Sequence, residues 1–366
     1  MRRLKYILVL WVALISIGCY EKPLIPGADD DVVIVPEGGP YIYLDAMVGN
    51  KTRGTLVEGN ELEEGFGAYG FTYDFTNRWT TYRATATPNV FESTPQEVTY
   101  ADEIYSYSPT QKWTGGKYTF FAYYPYGHNS VVPSDVTNEG TPYVTYAPKD
   151  FLTSTANHKD VMTAMFEDTS LSSSQYVNFN FQHRLSAIEV VALNFYEYNH
   201  KEGGNVTTEE IEIEITGLTI TFDKLKYQAA TFSLDSRLAS TYTLADKPAS
   251  YSIVSSGSKI VEYSHTSAFQ RIDPDQTMLV IPQSDESLKV TTEVSFKKKR
   301  PGNQGYVNEG GVEEFTTTKE TAFGQALKAG SRYYIQITFT SAAVSINIIT
   351  SAEWEDLAED VYHEFE

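Results

Sequence analysis

The residues of this 366-residue chain that could do chemistry are few. Six histidines stand at positions 128, 158, 183, 200, 265 and 363, and none falls in an HExxH or other paired metal-ligand spacing. His158 and Asp160 are neighbours, which a solvated loop or a local hydrogen bond explains better than catalysis. His183 sits among alternating apolar residues, as a satisfied half-buried strand residue does. There is no GxSxG elbow, no P-loop, and no cysteine beyond Cys19 to serve as a nucleophile. The carboxylate groups at Asp29, Asp30 and Asp31 and at Glu61, Glu63 and Glu64 lack calcium-loop spacing and read as solvated loops. Two distant carboxylates acting on a glycoside would leave no trace in spacing. No catalytic residue, no metal site and no cofactor is therefore expected, and the chain is not expected to be an enzyme. What remains is chemistry done to the chain: a thiol at Cys19 and a trypsin-like cutting site at Arg53-Gly54.

Cys19 is the only cysteine, so it has no internal partner for a disulfide. It follows Arg2, Arg3 and Lys5, an apolar run from Tyr6 to Ile17, and Gly18. A basic start, a short apolar core and a small residue before the cut form a secretory signal. The run falls short of the ~20 apolar residues of a membrane span. The stretch Ile15-Ser16-Ile17-Gly18-Cys19 resembles a lipobox, departing from it at Ser16, where Leu is usual. The expectation is a signal peptide over 1–18 and, as the lipobox resemblance implies, acylation of Cys19 with diacylglycerol and palmitate; several acyl chains give stable anchoring where one does not. An ordinary signal peptide with an incidental cysteine is the competing reading. Residues 19–40, rich in Pro, Gly and Asp, cannot build a core and read as a tether. Fully stretched, it would reach about 70 Å.

The formal net charge of −20 repels nucleic acid and anionic lipid, so phosphate-backbone partners are excluded. A hydrophobic fraction of 41% is ample for a packed core. The 27 tyrosines favour strands and suit half-buried or adhesive surfaces.

These elements read as strands almost throughout. Ile211, Ile213 and Ile215 alternate with glutamates, and Leu218, Ile220 and Phe222 with threonines. The same period of two runs through Ile335, Ile337 and Phe339 and through Val344, Ile346 and Ile348. Such alternation marks antiparallel strands with one face buried. Lys117 to Tyr124 and Val177 to Phe181 are aromatic strands, and Met278 to Ile281 is a short apolar one. Gly-, Pro- and Asn-rich breaks separate them, so the expected fold is all-β, with two antiparallel β-sandwich domains over 41–182 and 183–366. The run Lys297-Lys298-Lys299-Arg300 ends a strand and is expected at a loop tip.

The segment Tyr41 to Gly49 has Ile42, Leu44, Ala46 and Val48 on one strand face. A polar loop, Gly49 to Gly54, follows and carries Arg53. Cutting that loop would let the first strand leave a finished sandwich. The apolar slot left behind, edged by unpaired backbone groups, would invite another strand. The C-terminus offers Val344, Ile346 and Ile348 beyond a hinge-like Ser341-Ala342-Ala343. On the residues alone, the opposite reading stands equal, with Arg53 an ordinary loop residue and both terminal strands staying in place.

Several pieces, in order, resemble the fimbrillin family of Bacteroides-type pilus subunits. They are the lipobox at Cys19, Thr52-Arg53, Lys117 to Tyr126 (KYTFFAYYPY), Asp160 to Ala164 (DVMTA), Phe181 to Leu185 (FQHRL), Met278 to Gln283 (MLVIPQ), Leu327 to Tyr334 (LKAGSRYY) and Trp354. The resemblance implies two tandem transthyretin-like sandwiches and export as an outer-membrane lipoprotein. It further implies cleavage after Arg53 by an Arg-directed protease and assembly with other pilus subunits by strand exchange, in the service of adhesion. By the same analogy, Ile42, Leu44, Ala46 and Val48 belong to the displaced strand, and Val344, Ile346 and Ile348 to the donor strand. Stalk, tip and membrane-anchor roles stay open. The alternative is a non-polymerising surface lipoprotein that binds a host protein or glycan, for which Trp79 and Trp113 are candidate sugar-stacking residues.

Overall fold

In a computed structural model the chain is almost entirely β. It describes residues 41–48, 62 and 64–351, apart from 93, 102–103, 135–139, 172–175, 267, 274–275, 285–286, 302–304 and 308–312. Everything described lies in one compact unit, Pro40–Glu366.

The first sheet has seven strands in the order β1 (Tyr43–Val48), β9 (Tyr176–His183), β8 (Met162–Thr169), β5 (Lys117–Tyr124), β2 (Phe66–Tyr73), β3 (Gln96–Ala101) and β4 (Ile104–Ser106). A second sheet runs β16 (Gln270–Arg271), β10 (Ser186–Phe195), β20 (Arg332–Thr340), β21 (Val344–Ser351), with β17 (Met278–Val280) also on β10. The third orders β19 (Glu314–Ala322), β18 (Lys289–Lys299), β13 (Glu212–Ser233), β7 (Tyr143–Tyr146) and β6 (Val131–Pro133), with β14 (Thr241–Val254) and β15 (Lys259–Val261) also on β13. β11 (Glu197–Glu202) and β12 (Asn205–Glu210) form a separate hairpin. A four-residue helix, α1 (Trp79–Tyr82), drives Trp79 into the core at 0% exposure.

Pairing is mostly antiparallel, as the alternation predicts. Two pairs are parallel instead: β1 with β9, and β10 with β20. The expected boundary near residue 182 falls between β9 and β10, yet β6 and β7, from before it, pair into the sheet of β13.

Two hydrophobic cores result. The smaller is enclosed by one face of the first sheet and includes Ile42, Leu44, Phe66, Trp113, Phe120, Val177, Phe179 and Phe181. The larger fills the space between the second and third sheets and reaches the other face of the first, through Tyr69, Phe71, Trp79 and Phe121. β2 is read by both. Gly67 lies on it because a Cβ there would run into the Tyr123 ring of β5.

A charged cluster ties the sheets together. Asp235, fully buried in the turn after β13, accepts from Arg237 Nε at 2.8 Å and Nη2 at 2.8 Å, and from Arg83 Nη1 at 3.4 Å. Arg237 also reaches Glu167 of β8 at 3.0 Å. Burial alone would raise the Asp235 pKa, but the hydrogen bonds and charge of Arg237 outweigh it and hold the carboxyl below its ordinary value.

Candidate functional site

The first sheet has a seam. β1 is an end strand whose ladder partner is β9, and at the other end of the sheet lies β4. Residues following β4 reach the start of β1: Ile42 donates its N–H to the Gln111 carbonyl at 2.9 Å, Tyr41 bridges to Lys112, and the Lys112 ammonium sits 5.3 Å from the Tyr41 ring centre. The Tyr107 hydroxyl donates to the Ile42 carbonyl at 2.8 Å and accepts from Gln111 N–H at 3.2 Å. Burial pushes the Tyr107 phenol up to about 12, against the hydrogen bond from Gln111, so it stays a donor at neutral pH. Leu62 closes the same region, its N–H bonded to the Tyr105 hydroxyl at 2.9 Å.

The expected inward face of β1 is present. Ile42, Leu44 and Ala46 are 0%, 5% and 7% exposed, and Val48 packs partly buried against the same core. Their neighbours on β9 are Val177 beside Leu44, Phe179 beside Ala46 and Phe181 beside Val48. On the opposite face Tyr43 and Tyr176 stack at 5.3 Å. Without β1, the rings of Phe66, Phe179 and Phe181 would face an open slot flanked by β9 and the 107–112 segment. A buried apolar floor with a free strand edge is a template for one more strand.

The proposed donor residues lie elsewhere. Val344, Ile346 and Ile348 sit on β21, itself an end strand, opposite Phe339, Ile337 and Ile335 of β20. Ile346 is buried, and Val344 and Ile348 are partly buried on the larger core. The turn expected to act as a hinge is a tight one. Thr340 N–H and hydroxyl both donate to the Ala343 carbonyl (3.0 and 2.9 Å), and Ala343 N–H donates to the hydroxyl at 3.1 Å. Displaced-strand and donor residues thus occupy two separate sheet ends. Cys19, Arg53, Gly54 and Trp354 lie outside the described residues.

Elsewhere, among the described residues, the histidines and carboxylates serve the packing. His158 is no solvated loop residue: at 8% exposure it lies between Phe151 and Tyr251, accepts the Leu279 N–H on Nδ1 at 3.1 Å and bonds the Phe151 carbonyl through Nε2 at 3.3 Å. Burial lowers its pKa to about 4, the Phe151 hydrogen bond opposing. Asp160 pairs instead with His183, Oδ2 to Nδ1 at 2.7 Å. Among the described residues no group of three or more His, Cys, Asp or Glu could hold a metal. Glu64 pairs with Lys159 at 2.6 Å. Trp79 and Trp113, at 0% and 6% exposure, are core side chains and present no face to a sugar. The basic run is not a loop tip either. Lys297 to Lys299 finish β18, and Lys298 is buried with its ammonium 2.7 Å from the Tyr196 hydroxyl and 4.3 Å from the Phe315 ring centre.

Sequence reading missed the 107–112 closure and the choice of β9 as partner. The alternation of Val177, Phe179 and Phe181 marked a strand but not its neighbour.

Residues 52–354 match the family model described as fimbrillin-like. Over 233 residues the chain is 25% identical to the fimbrium subunit Fim1C of Phocaeicola vulgatus. That match takes in 59% of this chain and 56% of the relative, so the chain spans little more than half the relative's length. Among solved structures, a fimbrial protein from Bacteroides vulgatus superposes with a TM-score of 0.58 at 17% identity, covering 86% of this chain and 100% of the other. That likeness is one of fold.

Proposed function

This chain belongs to the fimbrillin-like family, and from that premise we propose that it is a structural subunit of a cell-surface pilus serving adhesion. In this reading it is exported as a lipoprotein acylated at Cys19 and carried to the outer membrane. It is then cut after Arg53, loses β1, and joins other subunits by accepting a strand from a neighbour. Its partners are further pilus subunits, of its own or another kind, the outer membrane through the precursor's lipid, and a host protein or glycan. Nucleic acid is not among them.

The observation that carries the reading is the position of β1. It is the first described strand, it lies at a sheet end, it covers a floor of buried aromatic rings, and the segment holding Arg53 follows it directly in sequence. A strand so placed can leave at the cost of its own ladder with β9 and the short closure of Tyr41 and Ile42 on residues 107–112. β21 supports the donor half in the same way, being the last described strand and also an end strand.

N-terminal sequencing of protein taken from cells tests this. A start at Gly54 supports a polymerising subunit. An acylated Cys19 on assembled pili supports instead a subunit that stays as membrane anchor, and an acylated Cys19 on protein that never enters a polymer supports a monomeric surface lipoprotein. Arg53→Ala should abolish the ladder of oligomers on unheated gels; persistence of that ladder overturns strand exchange by this route.

A further inference from the structure

We propose, resting on the reading of β1 as a removable strand, that Tyr107 and Gln111 form a backbone clamp that reads the direction of whatever strand occupies the slot. A strand from another pilus subunit must run as β1 does, and must bring an apolar residue other than proline to the place of Ile42.

The clamp is a closed ring of three hydrogen bonds. Ile42 N–H donates to the Gln111 carbonyl at 2.9 Å, Gln111 N–H donates to the Tyr107 hydroxyl at 3.2 Å, and that hydroxyl donates to the Ile42 carbonyl at 2.8 Å. Residues 42 and 111 thus stand like an antiparallel pair, with a hydroxyl inserted into the second of their two bonds. The adjoining bridge of Tyr41 with Lys112 is antiparallel as well. The ring asks of residue 42 only its backbone carbonyl and an N–H, which proline lacks. The apolar demand comes from the side chain, fully buried in the core that holds Leu44 and Phe66. The Tyr107 ring is set edge-on to Phe91 at 5.3 Å, which fixes where its hydroxyl stands. Two residues earlier, the Tyr105 hydroxyl accepts the Leu62 N–H at 2.9 Å. Leu62 follows the proposed cut, so that second hold stays with the body when β1 leaves. The hold on Ile42 passes to the strand that enters.

Direction follows from the groups the ring offers. An acceptor, the Gln111 carbonyl, faces the N–H of residue 42, and a donor, the Tyr107 O–H, faces its carbonyl. A strand laid in the slot the other way exchanges those two groups. Carbonyl then meets carbonyl at Gln111, and the Tyr107 proton loses the carbonyl it donates to. Buried polar groups set against like groups lose their hydrogen bonds at the full desolvation cost. The edge of β9 alone imposes no such choice, since a bare edge pairs with a strand of either direction. Tyr107 is thus a positioning residue, and the parallel pairing of β1 with β9 is the arrangement it selects.

The test uses the full chain cut once between β1 and β2 at an introduced protease site, first with β1 in place and then freed of it. Tyr107→Phe keeps the ring, removes the hydroxyl, and should release β1 about tenfold faster. The freed parent should take back a synthetic peptide of residues 41–48 about tenfold more tightly than a peptide of the same residues in reverse order. Running the other way, the reversed peptide lays the same side chains along the slot, so the difference reports direction. On Tyr107→Phe protein that preference should shrink about threefold or more, a change that general loosening of the fold would not produce. Methylating the Ile42 nitrogen of the 41–48 peptide should weaken its binding to the parent about tenfold, a measurement that needs no folded variant. Release within about twofold of the parent rate, equal binding of the two peptides, an undiminished preference on Tyr107→Phe protein, or an N-methyl peptide that binds as well as the native one overturns the clamp and leaves strand exchange standing. A freed parent that binds none of the peptides overturns the slot as a strand acceptor, and the clamp falls with it.

Discussion

The hold of β1 on the slot can be weighed through Leu44. Its side chain is 5% exposed on the inner face, beside Val177. Truncating such a leucine to alanine removes burial and leaves a cavity, at a cost of about 2–5 kcal/mol. In the intact chain that loss appears as reduced stability. Once the chain is cut between β1 and β2, β1 is a separate peptide and the same loss weakens its binding. At ~1.4 kcal/mol per factor of ten, Leu44→Ala should weaken retention about 30-fold to several thousand-fold, mostly as faster release. A site-specific protease recognition sequence placed within residues 50–57 allows a single cut. Native mass spectrometry after dilution then follows the fraction of β1 still bound. Asp45→Asn, on the opposite face, should change release less than about threefold by the same scale. If Leu44→Ala releases β1 within twofold of the parent rate, the slot does not hold the strand as described.

Other outcomes follow from buried polar groups and from the proposed maturation. His158 is held neutral, its folded pKa of about 4 lying below the unfolded 6.5. Its contribution is therefore complete above pH 6.5 and lost as pH falls toward 4, about 3 kcal/mol in all. Urea titrations should show His158→Leu less sensitive to acid over that window by about that amount. Asp235→Ala removes the charged acceptor of Arg237 and Arg83 and should cost about 2–3 kcal/mol in the same assay; a loss under about 0.5 kcal/mol would show that the cluster does not join the sheets. Cys19→Ser should remove acyl mass from the precursor and shift it from the membrane to the soluble fraction.

The period-two pattern carried far. Ile42, Leu44, Ala46 and Val48 share a buried face, and so do Val344, Ile346 and Ile348, because alternation is a local consequence of the pleat. Where the phase slips, the physics is also local. Ile215 and Leu218 are out of step, and β13 absorbs this with a register shift at Gly217 rather than ending, which makes one 22-residue strand of two expected ones. Partner choice was not legible. β1 finds β9 across more than a hundred intervening residues, in parallel, and nothing in either segment names the other. β6 and β7 likewise join the sheet of β13 across the expected boundary. Lys298 misled because its stem and ammonium lie on aromatic rings, which a tally of charges hides.

The parallel run of β1 along β9 has a mechanical consequence. All six residues of the strand lie abreast of a partner strand. A pull along the strand axis strains its rungs together, in shear, whereas a pull across it would unzip them one after another. A strand that replaced β1 in the same direction would share that geometry. In a polymer assembled as proposed, tension directed along that axis would load every rung at once rather than one after another.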